Sequence, residues 1–330
     1  MFIPEYTVTT KIINGIGSIE YAKGVIENTV VMPSWDKQLK KEAVIRILNG
    51  NLIELGTSIK YEELKKFVDG ISAHPSIQIR NLYNEIQNLD AVPANIEIDE
   101  AVLKSSHKNL SKELLPENKL GAYRGIKIPG SPNPEEILVE MVEFFDWYAS
   151  AEAHETHPLI KAAITKAQIE RIIPFEMTND VIANLAAYYV LYSENYKINN
   201  WFSFEEHFNK SRTTHEKIVY KISENDLDFT EYIEYFIDNM NYEANNLKEK
   251  VKLLSRETKI SKATGKNKLT PRQQRIVEYL QDYGVLYNRD FGKIFPDVSE
   301  DSVLRDLKAL ITQDVVIKVG TTKSSRYELA

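Results

Sequence analysis

Residues 181–192 read Val-Ile-Ala-Asn-Leu-Ala-Ala-Tyr-Tyr-Val-Leu-Tyr, apolar nearly all the way round a helix. A helix without a polar face has to lie inside other helices. Upstream, His157-Pro158 opens a second strongly apolar run, Leu159 to Ile172. Two such helices need a shell of amphipathic ones. Ser34-Trp35-Asp36-Lys37 starts a helix that runs through Leu48, with Ile45 and Leu48 three apart. Residues 58–68 form another, with Ser58 as N-cap and Gly70 as the stop. Residues 77–90 continue as a helix, and 91–98 are a connector because Pro93 bars a helix interior. After the break Pro129-Gly130-Ser131-Pro132-Asn133-Pro134, a helix from Glu135 to Tyr148 places Ile137, Leu138, Met141, Phe144, Phe145 and Tyr148 at i, i+3, i+4 spacing. Gly and Pro are sparse, so the expected class is mainly α.

At 330 residues the chain is too long for one ordinary core. Hydrophobic and charged contents of 43% and 27% fit a globular protein without a membrane span. The N-terminus has no basic and apolar leader pattern, and the absence of cysteine excludes disulfides and cysteine metal sites, so a cytoplasmic protein is expected. Net charge is −7, but from Lys266 onward there are 11 basic and 9 acidic residues. The acidic bulk argues against non-specific nucleic-acid binding by the body; the final segment permits it.

The loop between the two apolar runs, Ile172 to Asn184, resembles the signature of the Fic family, His-Pro-Phe-x-Asp/Glu-Gly-Asn-Gly-Arg-x-x-Arg. Pro174, Phe175 and Asn179 fit. The base position is Ile173, the metal-ligand position Met177, the glycine positions Thr178 and Asp180, and the arginine positions Val181 and Asn184. Other stretches are similar to the family in order and spacing: Lys41-Glu42-Ala43 with Ile53-Glu54, Gly121-Ala122-Tyr123-Arg124, Trp147, His157 to Ala163, Gln168-Ile169-Glu170, and Asp226 to Tyr232 with Tyr235-Phe236. Glu54 matches the glutamate of the family's inhibitory helix, with Gly50 at the Ser/Thr position and Leu55 after it.

In active relatives the His is the base and the acidic residue holds magnesium on ATP. The glycines open a helix N-terminus to phosphates, which the arginines neutralise. Here Ile173 takes no proton, Met177 is a poor ligand for a hard cation, and Asp180 adds negative charge where phosphates would lie. Pro174, Phe175, Thr178 and Asn179 are a nucleotide-binding remnant. The plain alternative for the loop is capping of a helix starting near Val181 by Thr178, Asn179 or Asp180. Glu54 is expected to have no arginine partner, and Arg124 to Pro134 leaves little room for the family's two-stranded docking hairpin. His154 and His157 read as helix-start or solvent-exposed residues rather than metal ligands, His207 and His215 as surface residues.

Lys259 to Lys268 is polar and aperiodic and reads as a linker. Beyond it Thr270 caps a helix with Pro271 at its first position, ended by Gly284. Asn288 to Ile294 is a short second helix, Val298 to Leu310 a third capped by Ser299, and Val315–Val319 and Arg326–Leu329 are two strands. This is the pattern of a winged helix-turn-helix, and Ser-x-x-Ser-Val-x-Arg-Asp-Leu resembles the DeoR type. Ser302, Arg305 and Lys308 on the third helix, with Lys318 and Lys323 on the wing, are the DNA-contact candidates; Glu300 and Asp301 oppose that role.

The expected organisation is a Fic-type N-terminal helical segment (1–110), a Fic-like helical core (111–258), a linker (259–267) and a winged helix-turn-helix with a small β wing (268–330). The expected function is a regulatory or binding protein without nucleotidyl transfer or cofactor, acting through the winged helix on DNA, with a protein partner or homodimer as further partners. The alternatives are a residual protein adenylyltransferase using ATP and magnesium, and a protein-interaction scaffold.

Overall fold

The computed structural model describes residues 2–57, 59–71, 76–90, 98–224, 227–263, 269–313, 315–320 and 326–329. Ser58, most of the connector at 91–98 and Lys323 lie outside the described residues. The chain divides into two units, one of Met1–Thr29 and Leu39–Val251, the other of Val30–Gln38 and Lys252–Ala330. Among the described residues no helix is long and apolar enough to cross a membrane.

The first unit is helical. Its outer elements are α1 (Thr10–Glu27), α2 (Pro33–Glu54, which starts in the other unit), α3 (Tyr61–Val68), α4 (Ile77–Asp90) and α5 (Glu100–Ser111). They are followed by α6 (Pro134–Tyr148), α7 (Ala151–Glu155), α8 (Pro158–Ile172) and α9 (Asn179–Ser193). α10 (Glu205–Lys210), α11 (Arg212–Glu224) and α12 (Thr230–Ala263) complete it, the last continuing into the second unit. The apolar runs behave as their composition requires. Every residue from Leu159 to Ile172 is buried, and α9 is buried from Val181 to Tyr192 apart from Tyr189. α8 and α9 pack on each other as the central pair. Around them Phe2 meets Phe144, Trp147 and Phe229 edge-on at 5.6–5.9 Å, which ties the N-terminus to α6 and the start of α12.

Local signals are kept or replaced. α3 starts at Tyr61 after Lys60 and has no side-chain cap, while Gly70 takes φ +69 and closes the helix end as expected. No strand occurs among the described residues between Arg124 and Pro134. α12 runs on to Ala263, so the first half of the expected linker is helical; residues 264–267 lie outside the described residues. Local polarity cannot by itself end a helix that has no glycine or proline before Gly265.

The second unit contains α13 (Pro271–Tyr283), β1 (Leu286–Tyr287), α14 (Phe291–Ile294), α15 (Glu300–Thr312), β2 (Val316–Val319) and β3 (Arg326–Leu329). Thr270 and Gln273 form a reciprocal capping box, and Gly284 ends α13 at φ +73. The strands form one antiparallel sheet in the order β1-β3-β2, with Leu286 opposite Tyr327 and Val316 opposite Leu329. The third strand was not expected: two residues are too short to show a period of two. Ile276, Leu280, Leu286, Phe291, Val303, Leu307, Leu310, Val316 and Tyr327 form the core of this unit.

Candidate functional site

The loop between α8 and α9 keeps a shape for which its residues are badly suited. Ile173 ends α8 at φ 50, ψ 62, and Thr178 precedes α9 at φ 64, ψ 16. Both are left-handed, a region that costs β-branched residues of order 1–2 kcal/mol. Neither Thr178 nor Asp180 caps α9: the Thr178 hydroxyl donates to Met177 O at 2.6 Å, and the helix begins at Asn179, two residues earlier than expected. Asn179 instead folds the loop, accepting from Phe175 N at 2.8 Å and donating to Phe175 O at 3.0 Å. Thr178→Gly should therefore stabilise the protein by about 0.5–1 kcal/mol, read as a rise in the melting midpoint. A fall would show that the buried Thr178 side chain outweighs the strain.

Phe175 is fully buried, stacked on His107 at 4.3 Å and tilted onto Tyr123 at 5.6 Å. Burial drives the His107 pKa down to about 4, so the ring is neutral at pH 7, and its Nδ1 accepts from Gly121 N at 2.9 Å. Arg124 closes the assembly. Its guanidinium donates to Ile173 O, Ile126 O, Ser131 Oγ, Pro132 O and Ile172 O at 2.5–3.2 Å, and its N–H donates to Pro174 O. The Gly-x-Tyr-Arg stretch is thus a clamp on the loop.

Beside the loop lies a cleft of roughly 360 Å³, whose lining includes Glu54, Glu170, Arg171, Ile173, Asp180, Phe208, Arg212, His215 and Glu216. Of the degenerate signature positions it is Ile173 and Asp180 that line it. Val181 and Asn184 are buried, and Met177 is half-buried outside the lining. Glu54, the last residue of α2, does find an arginine: Arg212 NH1 is 3.1 Å from its carboxylate, while Arg212 Nε is 3.0 Å from Glu216 and NH2 4.0 Å from Asp180. The partner comes from α11 rather than from the signature, which is why inspection of the motif missed it. Burial raises the Glu54 pKa, and Asp180 adds to the effect; burial and then Glu170 do the same to Asp180.

His215 is not a surface residue. Its Nε2 lies 3.0 Å from Glu170, which also accepts from Tyr232 OH at 2.7 Å and pairs with Lys166. Burial opposes the Glu170 charge, yet His215 and Lys166 outweigh it and hold the pKa down to about 2. His207 is likewise half-buried against Tyr242 at 4.4 Å. His154 is exposed, and His157 takes the N-cap position of α8 with Nδ1 accepting from Leu159 N at 3.3 Å.

Below the cleft Asn184 donates to Asn51 at 2.9 Å, and Asn51 donates to Glu205 at 3.1 Å. Tyr188 OH and Phe204 N donate to the other Glu205 oxygen at 3.0 and 3.1 Å. A Cβ added to Gly50 would come within 2.4 Å of Glu205 Cβ, so the position aligned with the Ser/Thr of the inhibitory motif has room only for glycine.

On the second unit, Asp301, Arg305, Lys308 and Thr312 are exposed and share the outer face of α15. Ser302 is half-buried, its hydroxyl 3.0 Å from Ser299 Oγ, and Lys318 is exposed on β2.

The Fic/DOC family matches residues 97–191. A Fic family protein from Desulfovibrio desulfuricans is similar in structure over 100% of this chain and 98% of its own, at TM-score 0.65 and 18% identity. A fragment of Fic-1 from C. elegans covers 74% of this chain and 74% of its own, at TM-score 0.55 and 13% identity. A Fic-domain-containing signaling protein from Bacteroides thetaiotaomicron covers 76% of this chain and 98% of its own, at TM-score 0.52 and 16% identity. Nothing among the curated proteins matches the chain. Residues 97–191 thus match the Fic/DOC family, and the chain shares its helical fold with solved Fic family proteins.

Proposed function

We propose that this protein has lost nucleotidyl transfer and acts as a regulatory or binding protein through residues 268–330, a winged helix-turn-helix directed at DNA. The observation that carries the first half is the charge of the cleft. Asp180 stands at the N-terminal end of α9, where a phosphate would need open N–H groups, and Glu54, Glu170 and Glu216 line the same space. Arg212 is shared among three of these carboxylates and Arg171 is held by Glu140 and Gln168, so neither is free to meet a triphosphate. The donor set does not fit magnesium-bound ATP, because Met177 offers a thioether where a hard oxygen is required. Incubation with labelled ATP and magnesium or manganese should leave no AMP on the protein or a hydroxyl-bearing target. Ile173→His should restore none, since the base, metal and phosphate sites act as a unit. Label above an ATP-free control in either protein would support the residual adenylyltransferase reading instead.

The DNA half is supported by the order of helices and strands in the second unit and by Arg305 and Lys308 on the outer face of α15. Glu300 and Asp301 at the start of that helix keep a protein-docking scaffold as the competing reading. In salt-series binding of the full chain, Lys318→Ala should weaken all duplexes alike and make the salt dependence shallower by about one ion. Arg305→Ala should reduce discrimination between duplexes by roughly 1–3 kcal/mol. Absence of DNA binding by the wild-type chain at low salt would favour the scaffold.

A further inference from the structure

The pairing of His215 with Glu170 is a feature of the cleft that the degenerate loop does not explain. Glu170 lies on α8 with its side chain 5% exposed, and its two oxygens are occupied by Lys166, His215 and Tyr232. Lys166 pairs with its charge, and His215 and Tyr232 lie within hydrogen-bond distance of it. His215 lies on α11, its ring held edge-on by Phe208, Tyr232 and Tyr235 at 5.5–5.8 Å. With Nε2 donating to the carboxylate, a neutral ring carries its lone pair on Nδ1. Nδ1 has no hydrogen-bond partner among the described residues and is not sealed from solvent, and the residue lines the cleft.

A buried carboxylate that fixes an imidazole whose other nitrogen opens on a cavity is the arrangement of a general base and its orienting group. The same cleft receives the first turn of α9. The first N–H bonded back to this end of the helix is that of Ile182, to Thr178 O at 2.9 Å. Asp180 of that turn adds its carboxylate to those of Glu54, Glu170 and Glu216 in the lining. The carboxylates of the lining exclude polyanions, which leaves uncharged or cationic substrates.

The geometry points to an acyl-ester hydrolase site in this cleft, with His215 as general base and Glu170 as its positioning residue. His215 Nδ1 takes a proton from water as the water oxygen bonds to the ester carbonyl carbon. The tetrahedral intermediate then collapses. The carbon–oxygen bond to the alcohol breaks, and the proton passes from His215 to the departing alkoxide. Water is the co-reactant and no electron acceptor is needed. This activity is separate from nucleotidyl transfer and stands or falls independently of whether ATP binds.

The test uses the full chain and p-nitrophenyl acetate, with p-nitrophenyl phosphate as the anionic comparison. The acetate should be hydrolysed at least tenfold faster than by free imidazole at equal concentration, and the phosphate should not be turned over. His215→Ala should lose at least tenfold in rate with its melting transition intact, and added imidazole should restore part of the loss, which a structural role would not allow. Glu170→Gln should lower kcat with KM unchanged. If His215→Ala does not fold, carbethoxylation of the wild-type protein, mapped to His215, should remove the activity and hydroxylamine should return it. A wild-type rate equal to free imidazole, or a rate insensitive to substitution or modification of His215, overturns the proposal. Preference for the phosphate overturns the substrate class.

Discussion

Arg124→Ala should lower the stability of the first unit by roughly 3–5 kcal/mol, because it strips partners from several buried groups at once. The side chain is 2% exposed and serves four carbonyls and one hydroxyl, spread over the end of α8, the signature loop and the turn before α6. Alanine would leave those oxygens without donors and the space of a guanidinium empty. Lysine should not repair the loss, since one ammonium cannot reproduce a planar fork that reaches separate segments. For a unit of this size the melting midpoint should fall by about 10 °C. A fall of only 1–2 °C would mean that water replaces the guanidinium and that the loop holds its shape without the clamp.

Between about pH 4.5 and pH 7 the contribution of Glu205 to stability should fall as pH rises, by about 3 kcal/mol. Glu205 is fully buried, and burial pushes its pKa up to about 7 from the ordinary glutamate value of 4.5, against the donors Tyr188, Phe204 and Asn51. A carboxyl with a raised folded pKa binds its proton more tightly in the folded state. Its contribution is therefore fully present below pH 4.5 and is lost as pH climbs through 7. Glu170 acts in the opposite sense: held down to about 2, it contributes stability above pH 4.5 that is lost as pH falls toward 2. His107, driven down to about 4, contributes stability above pH 6.5 that is lost as pH falls through 4, so it opposes the Glu205 limb. Melting midpoints across pH 3–8 test this, with Glu205→Gln as the decisive variant. Relative to wild type its stability should rise between pH 4.5 and 7, while the acid limb persists. An unchanged alkaline slope in Glu205→Gln would assign the effect to another group.

The helical body was legible because its signals are periodic. The all-apolar stretch of α9 and the buried α8 could lie only at the centre, and both do. The signature loop was legible through its resemblance to the Fic signature, of which Pro174, Phe175 and Asn179 fit, and Asn179 folds the loop back on Phe175. The cleft was much less so. Arg212 and His215 sit in a polar helix and carry no local mark of the carboxylates they meet from α2, α8 and α9. The available signal lay on α8 itself. Lys166 and Glu170, four apart in a buried helix, are charges that the interior has to pair and hydrogen-bond, which points to polar partners from neighbouring helices. Glu205 was hidden in the same way, in a short Phe-Glu-Glu run whose first acid turns inward and second outward.

The central claim is that the cleft no longer accepts a nucleotide triphosphate, and calorimetric titration of magnesium-bound ATP into the full chain tests it directly. The predicted result is heat indistinguishable from dilution at millimolar ATP, which places any Kd above about 1 mM. Saturable one-to-one binding at micromolar ATP, weakened by a substitution lining the cleft such as Arg212→Ala, would contradict it.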